Sequence, residues 1–107
     1  MILKLRFNNS SEFEDFFFGP NAEKENIYNA IVAQIKEALE KGLEAALFAE
    51  VIFKHDPLMV YLELPKQNWM DSLTNALRFY EQCDLFEECI EITKIIKKLD
   101  QSGDQSS

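Results

Sequence analysis

Glycine and proline occupy only three positions each among 107 residues, too few for a collagen-like repeat or a chain made mainly of loops. The glycines, Gly19, Gly42 and Gly103, also stand too far apart to build a phosphate loop or a dinucleotide fingerprint. Long apolar runs are missing as well. The longest, Ala45 to Ala49 and Leu58 to Leu62, are five residues each, against the roughly 20 that a membrane-spanning helix needs. Lys4 and Arg6 interrupt the first apolar stretch, so no signal peptide is expected and a cytoplasmic location is the default. Cysteine occurs twice, at Cys83 and Cys89. Six residues apart on one helix the two thiols point opposite ways, and no His or Cys pair completes a zinc set, so neither a disulfide nor a metal or other cofactor is expected. Bases are the scarce charge, eleven against nineteen acids for a net −8. That balance opposes phosphate backbones and anionic membranes, both of which recruit clustered Lys and Arg. No direct nucleic-acid or membrane partner is therefore expected.

A packed core is what remains, with 47% apolar and 12% aromatic residues. Leu3, Leu5 and Phe7 alternate with Lys4 and Arg6, the period of a half-buried strand over residues 2 to 7. Ser11 with Glu14 has the form of a capping box, and Gly19-Pro20 is a stop signal, which predicts a short helix over 11 to 18. Asn21 can cap a second helix bearing Ile27, Ile31, Ile35 and Ala38 at helical spacing, with Gly42 as its end. Residues 43 to 48 read equally as helix or strand. From about Leu47 the chain predicts a β-hairpin, 47 to 53 and 58 to 64, with Leu47, Ala49, Val51 and Phe53 inward and Leu58, Val60, Leu62 and Leu64 returning on the same side. After Pro65, Asn68 with Asp71 predicts a helix carrying Trp69, Leu73, Ala76, Leu77 and Tyr80. Asp84 with Glu87 predicts the start of a last helix, striped by Leu85, Cys89, Ile92, Ile96 and Leu99. No large apolar residue follows position 100, so residues 101 to 107 are expected to form a disordered tail. The expectation is one α+β domain over residues 1 to 100: a small sheet of an N-terminal strand plus a β-hairpin, packed by helices, with a C-terminal helical hairpin.

The residues from Asn68 to Asp100, and above all Leu85-Phe86-Glu87-Glu88-Cys89-Ile90 followed by Ile92, Ile96, Lys97 and Leu99, resemble the UVR motif. This short helical hairpin joins subunits of the bacterial excision nuclease and recurs in regulators of a bacterial protein kinase and chaperone system. Where that family usually shows Leu-Arg-Asp, this chain has Ile92-Thr93-Lys94. The order of elements also resembles that of small uncharacterised proteins of bacteria and tailed phages. The resemblance implies a protein-binding hairpin of bacterial or phage origin.

Catalytic signals are thin. His55 with Asp56 reads as turn chemistry beside Pro57, and Glu87 with Glu88 as first-turn acids of a helix, so no catalytic residue is assigned and an enzyme is not expected. Apolar surface is in better supply. Phe16, Phe17 and Phe18 span about 200° of a helix and cannot all turn inward. On the hairpin Phe48, Ile52, Met59 and Tyr61 alternate with the inward set, where a solvated face should be polar. Phe17, Phe18, Phe48, Ile52, Met59 and Tyr61 are therefore the candidate partner-binding residues. The expected function is non-enzymatic protein interaction or regulation, with another protein or a second copy as the partner. The alternative is an acidic inhibitor that imitates nucleic acid and fills the basic groove of a nuclease or polymerase.

Overall fold

The computed structural model describes residues 2–19, 23–55 and 58–104, the last four without their side chains. The alternation of Leu3, Leu5 and Phe7 with exposed Lys4 and Arg6 makes strand β1, Leu3–Phe7. Helix α1, Ser10–Phe18, follows at once. Its cap lies two residues before the expected Ser11 and Glu14: Asn9 Oδ1 accepts from the Glu12 amide at 3.0 Å, and the Glu12 carboxylate accepts from the Asn8 amide at 2.7 Å. Asn is as strong a cap as Ser, and its glutamate stands at the same spacing. Gly19 ends α1 by donating to the Asp15 carbonyl at 3.0 Å. A Cβ there would lie 2.6 Å from that oxygen, so only glycine closes the helix this way.

Helix α2, Lys24–Lys41, begins after Glu23, whose side chain makes no capping bond; the expected cap, Asn21, lies outside the described residues. It stops at Gly42, left-handed at φ 71°, as the sequence predicts. The ambiguous stretch then resolves as strand, β2 running from Ala45 to Phe53. Strand β3, Met59–Pro65, returns beside it. The sheet order is β1-β2-β3, with β1 parallel to β2 and β3 antiparallel to it.

One detail of register differs from strict alternation. Ala46 pairs with Leu64, Leu47 with Glu63 and Ala49 with Leu62, leaving Phe48 unpaired in a bulge. The extra residue shifts the period, so Ala46, not Leu47, shares the buried side with Ala49 and Val51. Leu58 and Val60 correct a second expectation. They belong to the inward side by alternation but stand exposed at the start of the edge strand, which has β2 on one side only.

After a 3₁₀ turn at Lys66–Asn68, helix α3 spans Trp69–Gln82 and helix α4 spans Phe86–Asp104. Asn68 makes no side-chain cap, because the turn feeds α3 with backbone already helical. Asp84 is not a cap either. At φ 58° it is the left-handed residue that closes α3, and the Leu85 amide donates back to the Tyr80 carbonyl at 2.9 Å. The tail is shorter than expected, since α4 continues through residues 101–104; residues 105–107 lie outside the described set.

This is an α+β fold, with α3 and α4 forming the expected helical hairpin. Ile35 and Ala38 of α2, Ala46 of β2, Trp69, Leu73, Ala76 and Tyr80 of α3, and Ile92, Ile95 and Leu99 of α4 form one buried cluster. Ile95, not Ile96, takes the inner place on α4, and Ile96 sits at the rim. The indole of Trp69 donates to the Leu64 carbonyl at 2.8 Å and ties the helical hairpin to β3. Buried polar side-chain atoms among the described residues all have partners.

Candidate functional site

Alternation gives the sheet two unlike faces. One carries Leu3, Leu5, Phe7, Ala46, Ala49 and Val51 and packs against the helices. The other follows from the same register. Lys4 lies beside Glu50, which has Tyr61 on its other side; Arg6 lies beside Ile52, which has Met59 on its other side; and Leu47 lies beside Glu63. Met59 is 41% and Tyr61 54% exposed, whereas Ile52 is half-buried. A shallow groove of about 320 Å³ crosses this face between Lys4, Arg6, Glu50, Ile52 and Met59. Apolar groups thus occupy its middle, two bases stand on β1, and two acids stand on β2 and β3.

The six expected partner-binding residues do not form one surface. Ile52, Met59 and Tyr61 share the outer face. Phe48 is the bulged residue and is half-buried. Phe17 and Phe18 belong to α1, which is joined to the sheet through Phe13 and Phe16, whose rings lie 5.7 and 5.6 Å from that of Phe7. Phe7 lies on the helix-covered side. Phe17 is absorbed into this aromatic cluster, 5.0 Å from both Phe13 and Phe16, while Phe18 is 81% exposed. The geometry therefore separates α1 from the sheet patch.

Leu58 and Val60 were not among the expected contact residues, yet they stand exposed beside Met59 and Tyr61. Their signal in the sequence is the apolar run 58 to 62, which only an edge position leaves uncovered. Phe86 and Ile90, one turn apart on α4, are a second exposed apolar pair.

Side chains with acid–base capacity lie elsewhere. A cleft of about 250 Å³ between α2 and α4 is crossed by the Lys36–Glu91 ion pair at 2.6 Å. The hydrogen bond and charge of that contact raise the lysine and lower the glutamate from their ordinary values. At its inner end the Tyr80 hydroxyl donates to Asn29 Oδ1. Burial, with Glu88 and Glu25 nearby, pushes the Tyr80 phenol up to about 12. Such a phenol stays protonated near neutral pH and serves as a structural donor. Cys89 is pushed up by burial and by the neighbouring acids Glu81 and Glu88, which disfavours the nucleophilic thiolate. His55 lies exposed in the turn after β2, and Asp56 lies outside the described residues. Among the described residues no three His, Cys, Asp or Glu side chains are grouped to hold a metal ion. No helix of the described residues is long and apolar enough to cross a membrane.

No family model, curated protein or solved structure matches this chain.

Proposed function

We propose that this chain is a non-enzymatic protein-interaction or regulatory module that docks through the outer face and free end of its β-hairpin. The observation that supports this reading best is the grouping of Ile52, Met59 and Tyr61 on the sheet face turned away from the helices, flanked by Lys4, Arg6, Glu50 and Glu63. An apolar centre with a mixed-charge rim is the usual anatomy of a protein contact. The exposed Phe86 and Ile90, within the segment resembling the UVR motif, are a second contact point of the same kind. Imitation of nucleic acid draws less support. It asks for an unbroken acidic surface, whereas Lys4 and Arg6 lie on the outer face and two acids, Glu37 and Glu91, are engaged by lysines.

The test compares the parent with an Ile52→Glu/Tyr61→Glu variant. Circular dichroism should be unchanged, while the partner recovered by affinity capture, or the self-association read by light scattering, is lost. Identical capture and identical mass for parent and variant would remove the sheet face from the contact.

A further inference from the structure

Eight large apolar side chains stand exposed among the described residues, and four of them are consecutive: Leu58, Met59, Val60 and Tyr61, at 70, 41, 41 and 54%. Consecutive strand residues point to opposite faces, so exposure of Met59, Val60 and Tyr61 in turn means that, among the described residues, neither face is covered at this end of the sheet. β3 is also an outer strand, with β2 on one side only. Every second N–H and C=O of such a strand points away from the sheet, a template for one more strand. Exposed edges are ordinarily blunted by lysine, proline or a bulge within the strand. Here the bulge is on β2, Pro65 comes only as the last residue, and Glu63 is the one charge in β3.

We propose that β3 pairs antiparallel with β3 of a second copy of this chain about a two-fold axis at Val60, fusing two three-stranded sheets into one of six strands. This rests on the interaction reading above and names its occupant. The strand's own sequence carries the choice. Centred on Val60, the pairing sets Leu58 opposite Leu62, Met59 opposite Tyr61 and Val60 opposite itself, so every pair is apolar. It also carries Glu63 past the paired segment, away from the apolar pairs. Centring on Tyr61 would set Glu63 against Met59, and centring on Leu62 would set it against Tyr61. Centring on Glu63, or running the strands parallel in register, would bring two carboxylates together, which cross-strand pairs do not tolerate well. On the outer face the pairing extends the apolar stripe of Ile52 and Met59 across the axis to Tyr61 of the second copy.

Residues directly opposite in an antiparallel pair have Cα atoms about 4.5 or 5.5 Å apart, and both spacings admit a disulfide. In a Cys83→Ser/Cys89→Ala background, Val60→Cys should give a covalent dimer on mild oxidation. Glu63→Cys should form no covalent dimer, since the two positions would then lie about 20 Å apart along the strands. Light scattering of the unmodified chain at high micromolar concentration should give twice the chain mass. Val60→Lys, which sets two ammonium groups together at the axis, should weaken the dimer by more than about tenfold with unchanged circular dichroism. A parent that scatters as a monomer, or equal cross-linking at positions 60 and 63 as stacked outer faces or random collision would produce, overturns the proposal. The broader interaction reading fails separately, by unchanged partner capture in the Ile52→Glu/Tyr61→Glu variant.

Discussion

Tyr80 shows how one side chain serves both packing and polarity. Its ring lies in the core at 1% exposure, and its hydroxyl is spent on Asn29 across the gap to α2. Tyr80→Phe keeps the ring and removes the bond, so it should lower unfolding free energy by about 1 kcal/mol. The variant also changes pH dependence. The folded phenol is raised to about 12 from an ordinary 10, so above pH 10 the unfolded chain loses its proton while the folded chain keeps it. Stability from this group is complete below pH 10 and is lost as pH rises toward 12. Denaturant melts across that window should show a shallower decline for Tyr80→Phe than for the parent. A steeper or equal decline would mean that the phenol is not held in its protonated form. Among the exposed carboxylates the sign is opposite. Glu12, held low by the Asn8 amide and side chain, favours folding above its ordinary pKa and loses that contribution on acidification.

The connection between α3 and α4 is the place where local rules and the sequence disagree. Asp84 occupies a left-handed conformation at φ 58°, which favours glycine. Asp84→Gly should raise stability by up to about 1 kcal/mol, measured as an upward shift of the denaturant midpoint with an unchanged slope. A fall would show that the aspartate side chain holds the turn. Along α4, Ile92 is fully buried and Ile95 nearly so, while Ile96 only borders the core. Ile92→Ala should cost ~2 to 5 kcal/mol and Ile96→Ala distinctly less. Equal losses in the two melts would mean that α4 is turned about its axis so that both side chains enter the core alike. The periodicity of the sequence placed the inner face of this helix to within one residue, though not its end, which lies at Asp104 and not near residue 100. It could not separate Ile95 from Ile96, because both lie within the width of one apolar stripe.

Across the whole molecule the charge is lopsided, with a net −8 and only two ion pairs among the described residues, Lys36–Glu91 and Lys41–Glu37. Self-repulsion of the excess acids opposes the folded state and any self-association. Salt that screens it should therefore raise the melting temperature of the chain and strengthen the proposed dimer, both read on moving from low ionic strength to about 0.5 M. A fall in melting temperature would show that the two ion pairs outweigh the repulsion within the chain, and a weaker dimer would show that charges attract across the contact. The sheet divides the molecule's surface into a helix-covered side and an outer side, and that division separates the candidate contact residues. Phe17 and Phe18 stood beside Ile52, Met59 and Tyr61 as candidates because every one is apolar and hard to bury. The chain sets α1 on the far side of the sheet from the other three.

The order of elements, the two faces of β1, the glycine stop of α2 and the pairing of the last two helices were legible in the residues themselves. Each rests on short-range physics: a period of two or 3.6, or a backbone angle that only glycine adopts freely. Tertiary structure alone decided the bulge at Phe48, the exposure of Leu58 and Val60, and the fate of the apolar run from 58 to 62. Such a run reads as core until the sheet order is known. Burial is set by what lies over a residue, and β3 has a neighbour on one side only and, among the described residues, leaves Leu58 and Val60 exposed at its start.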